Sequence, residues 1–526
     1  MKVLISDALS PEGLEILERE PDIEVDVRLK LSPEELGEAI EGYSALIIRS
    51  GAKVTREVIK ASDRLKVIAR AGVGLDNIDV EAASERGIIV MNAPGGSTIA
   101  ATEHTMSLIL ALSRNIPQAN QSVKERRWER KKFMGVEIYD KVLGVIGMGR
   151  IGRAVTKRAQ AFGMKVIAYD PFVPGWRAKK LGIELVDLQD LLRQADYITL
   201  HIPLVPDTRH ILGASEFAQM KHGVRVINCA RGGVIDEEAL YKAIREGKVA
   251  GAALDVYEEE PPFKSPLLEL PEVIATPHLG AATEEAQVKV AVDTANQVID
   301  ALKGRGVRNA VNLPLVRPEE RGALEPYLKL AEELGCLQAQ LTGGHITSVR
   351  VNYSGPTLNR DVSPLTVALL KGLLEPLIPE MVNFVNAPII AKKRGIRVIE
   401  RKSKEAQDFA NLITVELETH KARSTVAGTL FGKNDPRIVK LNEYRVNTSP
   451  QGYILICSHQ ARPGIVGKIG TIFGKNNINI FQMTLGREET GKREMTVLNL
   501  DASPPQGVIE EIGKIKELLQ VRLVKL

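Results

Sequence analysis
From Met1 the chain alternates short β-branched runs with amphipathic ones: KVLIS, PEGLEILERE, IEVDV, PEELGEAIEG, SALIIRS, TREVIKAS and LKVIARA. Such alternation predicts a parallel sheet covered by helices, because consecutive parallel strands need a long crossover and a helix supplies it. The segment MNAPGGST, residues 91–98, interrupts the pattern, and Ser97 or Thr98 stands where an N-cap is needed ahead of ATEHTMSLILALSRN. That helix reads as a bridge between domains. A second alternating series starts at Lys141 with VLGVIG, MKVIAYD, ADYITLHIP, VRVINCA, GAALDV and EVIATPHLG, six strands in all. Six make a complete doubly wound sheet. A helical run, TEEAQVKVAVDTANQVIDALKG, follows from Thr283. If it returns to the first sheet, the first domain is discontinuous.

Beyond Pro318 the periodicity weakens. A helix, LEPYLKLAEELGCLQAQL, precedes alternating runs in ITVELETH, ARSTVAGTLF and RIVKLNEYRVN, which predict an α+β module with an antiparallel sheet. From Tyr453 the order is strand YILICSH, helix GIVGKIGTIFGKN, strands INIFQMTLGR and REMTVLNLD, helix QGVIEEIGKIKELL and strand VRLVKL. That βαββαβ order is ferredoxin-like.

At 526 residues the length prior is about 3.5 domains. Four are expected here: 1–98 with 284–316, 99–283, 317–452 and 453–526. Lys and Arg number 70 against 66 Asp and Glu, so the net charge of +4 is too slight to predict a nucleic-acid or membrane partner. Hydrophobic residues at 44% and charged ones at 26% describe a folded chain rather than a disordered one. Cys229, Cys336 and Cys457 lie far apart, which excludes a disulfide framework and a Cys-x-x-Cys site, so a cytoplasmic protein without a metal is expected. No apolar run approaches the roughly 20 residues of a spanning helix. The start, MKVLISDAL, meets Asp7 before any signal-like core, so neither secretion nor anchoring is expected.

Gly147-Met148-Gly149-Arg150-Ile151-Gly152 follows the apolar strand VLGVI and opens a helix. Gly147 allows the tight turn, Gly149 lets backbone approach a pyrophosphate, and Gly152 lets helix and strand pack, with the helix N-terminus facing the phosphates. Asp170 ends the next strand, 18 residues beyond Gly152, where a carboxylate accepts hydrogen bonds from ribose hydroxyls and repels a 2′-phosphate. NAD is therefore expected over NADP, although Arg177 and Lys179 stand near enough to soften the exclusion.

Four more strand ends carry polar residues: His201, the run from Cys229 through Ala230 and Arg231 to Gly233, Asp255 through Glu260, and His278. Ligands of open α/β sheets sit beyond the carboxyl ends of strands. Hydride transfer from an alcohol needs a base for the hydroxyl proton, a cation for a carboxylate and developing carbonyl, and a group that orients the base. His278, Arg231 and Glu260 supply these roles. His201 is the rival base, but it lacks a nearby acid and precedes Ile202-Pro203, which suits a pocket wall. Taken singly, Arg231 reads as a surface ion pair and Glu260 as a solvated turn acid.

VIGMGRIG, INCARGGVIDEEAL, AALDVYEEEPP, TPHLGAAT and RAGVGLDNID together resemble the D-isomer-specific 2-hydroxyacid dehydrogenases. The resemblance extends over essentially the whole chain, through WERKKFMG, FVNAPIIAKKRGI and SHQARPGIVGKIGTIF, and points to the long form with intervening and ACT domains. It implies a Rossmann-type cofactor domain inserted in a flavodoxin-like substrate domain, followed by an α+β intervening domain and a ferredoxin-like ACT domain. It implies NAD-dependent oxidation of D-3-phosphoglycerate, with Arg231 binding substrate, His278 as acid/base and Glu260 as its partner. NAD contacts are implied from Arg150, Ile151, Asp170, Ile202, Cys229, Ala230, Asp255, Gly280 and Ala281, and substrate contacts from Arg49, Ser50 and Gly74. The run KERRWERKKF, residues 124–133, holds six basic residues against two acidic ones. By itself it reads as a solvated helix face. In similar enzymes it reaches the active site of a second subunit, which would put Arg130 or Lys131 at the substrate phosphate of a homo-oligomer, a dimer or tetramer. A reductase of glyoxylate, hydroxypyruvate or D-lactate, and a non-catalytic NAD sensor, remain as alternatives.

The ACT resemblance implies an L-serine effector at His459, the Arg462-Pro463-Gly464 turn and Asn479. Ala461 stands where relatives carry Asp or Asn. Loss of such a contact costs about 1–3 kcal/mol, roughly ten- to hundredfold in affinity, so weak or absent serine inhibition is expected. Lys392, Lys393 and Arg394 are the candidates for anionic effectors in the intervening domain.

Overall fold
The computed structural model describes residues 1–526 apart from 315, 317–319, 406–407, 421 and 489–490, and apart from the side chains of residues 177 and 321. The start of the third expected domain at residue 317 and the side chain of Arg177 therefore lie outside the described residues.

The first five strands, Lys2–Ile5, Glu24–Val27, Ala45–Ile48, Val67–Arg70 and Ile89–Asn92, form a parallel sheet in the order 2-1-3-4-5. Ala45–Ile48 is buried along its whole length, as a central strand covered on both faces must be. The fifth strand begins just before the MNAPGGST break and runs into it, and it is not among the runs read from the alternation. Helix Glu284–Leu302, capped by the Thr283 side chain on Ala286 N–H, returns to this sheet: Ala295, Val298 and Ile299 share a core with Val3, Ile5 and Val67. Gly13 makes the approach possible, since a Cβ there would lie 2.8 Å from Ala291 Cβ.

Helix Thr98–Arg114 leads to the second sheet; Ser97 precedes it but makes no side-chain cap. This sheet has seven parallel strands, in the order Val273–Ala275, Val249–Leu254, Val224–Asn228, Tyr197–Leu200, Val142–Ile146, Lys165–Tyr169 and Glu184–Leu185. The first six expected strands are all present. The seventh, Glu184–Leu185, is two residues long and too short to show a period. Strand order reverses at Val142–Ile146 beside Tyr197–Leu200, and the crevice at that point is where such sheets hold ligands.

The third sheet has six strands and corrects the expectation of an antiparallel one. Ile346–Ser354 pairs with Arg397–Ser403 in parallel, while the other neighbours run antiparallel. The parallel pair is joined through helices Ser363–Leu374 and Ala387–Lys393, the crossover that parallel strands require. The last sheet runs in the order Ile480–Arg487, Arg493–Leu500, Tyr453–Gln460 and Leu518–Lys525, with helices Ile465–Lys475 and Gln506–Gly513, which is the ferredoxin-like arrangement. The second helix ends at Gly513, so residues expected in its last turn belong to the turn and strand that follow. Ile454, Ile456, Val497 and Val524 of this sheet share one core with Leu330, Leu334, Val349 and Val415 of the third module. That module touches the first sheet's periphery, where Asn383 Nδ2 donates to Gly87 O at 2.8 Å and Lys393 pairs with Glu85 at 2.8 Å. Among the described residues, no helix is long and apolar enough to cross a membrane, and no His, Cys, Asp and Glu cluster has the geometry to hold a metal.

Candidate active site
His278 follows the edge strand Val273–Ala275 and has φ +55°, a left-handed conformation that histidine rarely adopts. Its turn is held by a buried carboxylate: Leu279 and Gly280 N–H donate to Asp255 Oδ1 and Oδ2 at 2.7 and 2.8 Å. In that pose His278 Nδ1 lies 2.9 Å from Glu260 Oε2, and Glu260 Oε1 accepts Tyr257 N–H at 3.2 Å. The hydrogen bond from Glu260 holds the His278 pKa above the ordinary imidazole value against the opposing effect of burial. The charges of Glu260 and Asp255 add to it, and Arg231 subtracts. Burial raises Glu260, but its hydrogen bond and ion pair with His278 outweigh this and hold it below the usual carboxylate value. With Nδ1 committed to Glu260, Nε2 is the atom left to exchange a proton.

Arg231 comes from the turn after Val224–Asn228. Asn228 closes that turn, accepting Ala230 N–H at 3.0 Å and donating to Arg231 O at 2.8 Å. Gly232 is obligatory here, because a Cβ would lie 1.7 Å from Tyr257 O. The guanidinium reaches the first sheet: Nε is 3.1 Å from Asp76 Oδ2, and a Cβ on Gly74 would lie 2.2 Å from Nη2. Behind it, burial and repulsion from Arg231 push the Arg70 guanidinium down to about 10 despite the nearby Asp76 and Asp7. Arg49 and Ser50 sit in a turn that Asp7 pins by accepting Arg49 and Ala52 N–H, at 2.6 and 3.1 Å. Asn77 grips the same turn by donating to Arg49 O and Ala52 O. Asp7, Arg70, Asp76, Asn77 and His104, the last 3.1 Å from Asp255, are site residues that sequence reasoning missed.

The glycine turn fits a dinucleotide. Gly147 has φ +95°, and a Cβ on it would meet His201 O at 2.6 Å and Ile202 Cγ2 at 2.6 Å; one on Gly152 would meet Gly147 O at 2.0 Å. Gly149 has no such neighbour within 4 Å, so the space at the N-terminus of helix Arg150–Ala161 is open where a pyrophosphate would lie. Asp170 is fixed beside it, accepting Met148 N–H at 2.8 Å and Phe172 N–H at 2.9 Å. Each oxygen keeps a lone pair for a ribose hydroxyl. Cys229 and Ala230 lie across the sheet; burial pushes the Cys229 thiol up to about 12, so it acts as wall rather than nucleophile. Gly280 N–H is already given to Asp255, and Ala281 is exposed. Burial alone pushes His201 down to about 4, which makes it too weak a proton acceptor for the base role.

Other expected residues are not gathered here within one chain. Arg130 and Lys131 are exposed in turns beyond helix Ile116–Lys124 rather than on a helix face, and neither makes a side-chain hydrogen bond or ion pair among the described residues. His459 is buried, with Nε2 2.8 Å from Thr496 Oγ1 and Nδ1 donating to Gln460 O, whereas Asn479 is exposed. Lys393 pairs with Glu85 at 2.8 Å, and Lys392, Lys393 and Arg394 are all exposed.

Residues 106–280 match the D-isomer specific 2-hydroxyacid dehydrogenase NAD-binding domain, 323–442 the D-3-phosphoglycerate dehydrogenase intervening domain, and 453–517 the ACT domain. Among solved structures, a D-lactate dehydrogenase from Aquifex aeolicus complexed with NAD and lactic acid is similar at TM-score 0.54 and 29% identity, over 60% of this chain and 100% of that one. The Escherichia coli D-lactate dehydrogenase is similar at TM-score 0.53 and 30% identity, over 59% of this chain and 100% of that one. Fold, site and these matches define an NAD-binding D-isomer-specific 2-hydroxyacid dehydrogenase. The D-3-phosphoglycerate dehydrogenase of Methanocaldococcus jannaschii is 47% identical over the full length of both chains, and that of Bacillus subtilis 41% identical over 100% of this chain and 99% of its own. Within the wider class, the chain belongs to the D-3-phosphoglycerate dehydrogenase family.

Proposed function
We propose that the chain oxidises D-3-phosphoglycerate to 3-phosphohydroxypyruvate with NAD, the first step of L-serine biosynthesis. The observation that carries this is the His278–Glu260 contact of 2.9 Å in the same locus as Arg231. Bound NAD supplies the hydride acceptor. Arg231 holds the substrate carboxylate and stabilises the developing carbonyl; His278 Nε2 takes the hydroxyl proton; Glu260 stabilises the imidazolium that results. Arg49, Ser50 and Gly74 bound the substrate from the first sheet. Arg150, Ile151, Asp170, Ile202, Cys229, Ala230, Asp255, Gly280 and Ala281 surround the cofactor.

The working unit in this reading is a homo-oligomer, with Arg130 or Lys131 of one copy at the substrate phosphate of another. Its support is that Trp128 in this stretch, and Met134 and Tyr139 just beyond it, are each more than 70% accessible. Three free cysteines suit the cytoplasm. The proposed domains are 1–98 with 284–316 for substrate, 99–283 for NAD, 317–452 intervening and 453–526 for ACT regulation. The return of Glu284–Leu302 to the first sheet supports the discontinuous first domain. Serine acts weakly if at all, given Ala461.

Steady-state oxidation of 3-phosphoglycerate with NAD and with NADP, each with and without millimolar L-serine, tests the reading. Turnover with NAD well above that with NADP, and little inhibition by serine, is expected. Turnover of glyoxylate, hydroxypyruvate or D-lactate alone would make the chain a different reductase; no turnover of any would make it an NAD sensor. Inhibition by micromolar serine would overturn the inference from Ala461.

A further inference from the structure
Asp255 stands at the end of Val249–Leu254, fully buried, and its Oδ1 gathers three groups: Thr276 Oγ1 at 2.6 Å, Leu279 N at 2.7 Å and His104 Nε2 at 3.1 Å. His104 belongs to Thr98–Arg114, the helix that links the two parallel sheets. Its Nε2 also lies 3.2 Å from Thr276 Oγ1. A threonine hydroxyl has one proton, and the 2.6 Å contact gives it to Asp255. Nε2 must therefore carry the proton in the His104 contacts, whichever charge the ring bears. The imidazole is a fixed donor to a carboxylate whose remaining contacts, Leu279 and Gly280 N–H, hold the turn of His278.

We propose that His104 is a positioning residue of the dehydrogenase: by donating to Asp255 it keeps that carboxylate aimed at the 279–280 amides and so fixes His278 against Glu260. The inference rests on the reading of His278 as acid/base. A buried carboxylate short of a donor swings or takes up a proton, and either change releases an amide of the turn. His278 then loses a constraint that sustains its left-handed backbone. The displacement is at the reacting group, where about 1 Å costs on the order of a hundredfold in rate.

His104→Gln and His104→Asn separate this role from packing. Glutamine places an amide nitrogen where imidazole Nε2 lies, whereas asparagine is one carbon too short; both are polar and tolerated in a helix. His104→Asn should lose roughly ten- to hundredfold in kcat while KM for the hydroxy acid moves by less than about threefold, and His104→Gln should recover most of the loss. The groups facing His278 are Glu260, Asp255 and Arg231, and those facing Asp255 are His104, Thr276 and the two amides. Because the Asp255 charge helps hold the His278 pKa up, the rising limb of the oxidation profile should move to lower pH in His104→Asn alone. Equal activity in the two variants, high or low, overturns the proposal, as does a change confined to KM or an unmoved limb. Both variants are compared with wild-type enzyme on whichever 2-hydroxy acid it oxidises, so a failure of 3-phosphoglycerate as substrate is told apart from a failure here.

Discussion
At the scale of single residues, one ion pair organises the chemistry. Oxidation needs His278 neutral, and Glu260 holds its pKa above the ordinary value, so kcat/KM for oxidation should rise with pH through that elevated pKa. Glu260→Gln removes the hydrogen-bonded carboxylate, and the limb should move to lower pH while the plateau falls. His278→Ala should lower kcat by roughly 10²–10⁴-fold. Both are read from pH–rate profiles with NAD, and an unmoved limb in Glu260→Gln would remove the carboxylate from the argument. Arg231, Glu260 and His278 were legible as candidates because each lies in the loop that follows a short apolar strand, in the place where sheets of this type present ligands. Asp7 and His104 were not, because their partners are remote: 42 residues separate Asp7 from Arg49, and 172 separate His104 from Thr276. An isolated acid or histidine carries no local signal of what it will touch.

Elements depend on where backbones must pass close together. Helices Arg321–Leu341 and Ser363–Leu374 cross at two glycines: a Cβ on Gly335 would lie 2.1 Å from Leu369 O, and one on Gly372 2.0 Å from Glu332 O. Gly335→Ala should therefore destabilise the intervening module by about 1–3 kcal/mol. Thermal unfolding checks this, and an unchanged melting temperature would show that the helices separate without cost. Strands of only four residues, such as Ala45–Ile48 and Val67–Arg70, were readable, whereas the longer elements Ile346–Ser354, Ser363–Leu374 and Arg397–Ser403 were not singled out. Glu184–Leu185 was missed because two residues show no period, and Ile89–Asn92 because it runs into the MNAPGGST break. The parallel pairing of Arg397–Ser403 was equally hidden, since a strand's own pattern does not state which neighbour it joins or in which direction.

For the whole molecule, the open question at the active site is the second anionic end of the substrate. Within one chain the 124–133 run stays exposed, so Arg130→Ala should leave the folded monomer intact yet lower kcat/KM for 3-phosphoglycerate by about tenfold or more, the loss of one charge-assisted contact. An unchanged KM for 3-phosphoglycerate would exclude that residue from the phosphate site. The sequence by itself determined most of the order of elements in the two parallel-sheet domains and the last module, the glycine turn with Asp170, and the three groups proposed for the chemistry, because these depend on short-range period and on motifs held within one strand and its following turn. Tertiary structure alone decided the rest. It returned Glu284–Leu302 to the first sheet, brought Asp76 to Arg231, set Asp255 between His104 and the turn of His278, and buried His459. Contacts between distant segments depend on how sheets and helices pack in three dimensions, and no local run of residues encodes that distance.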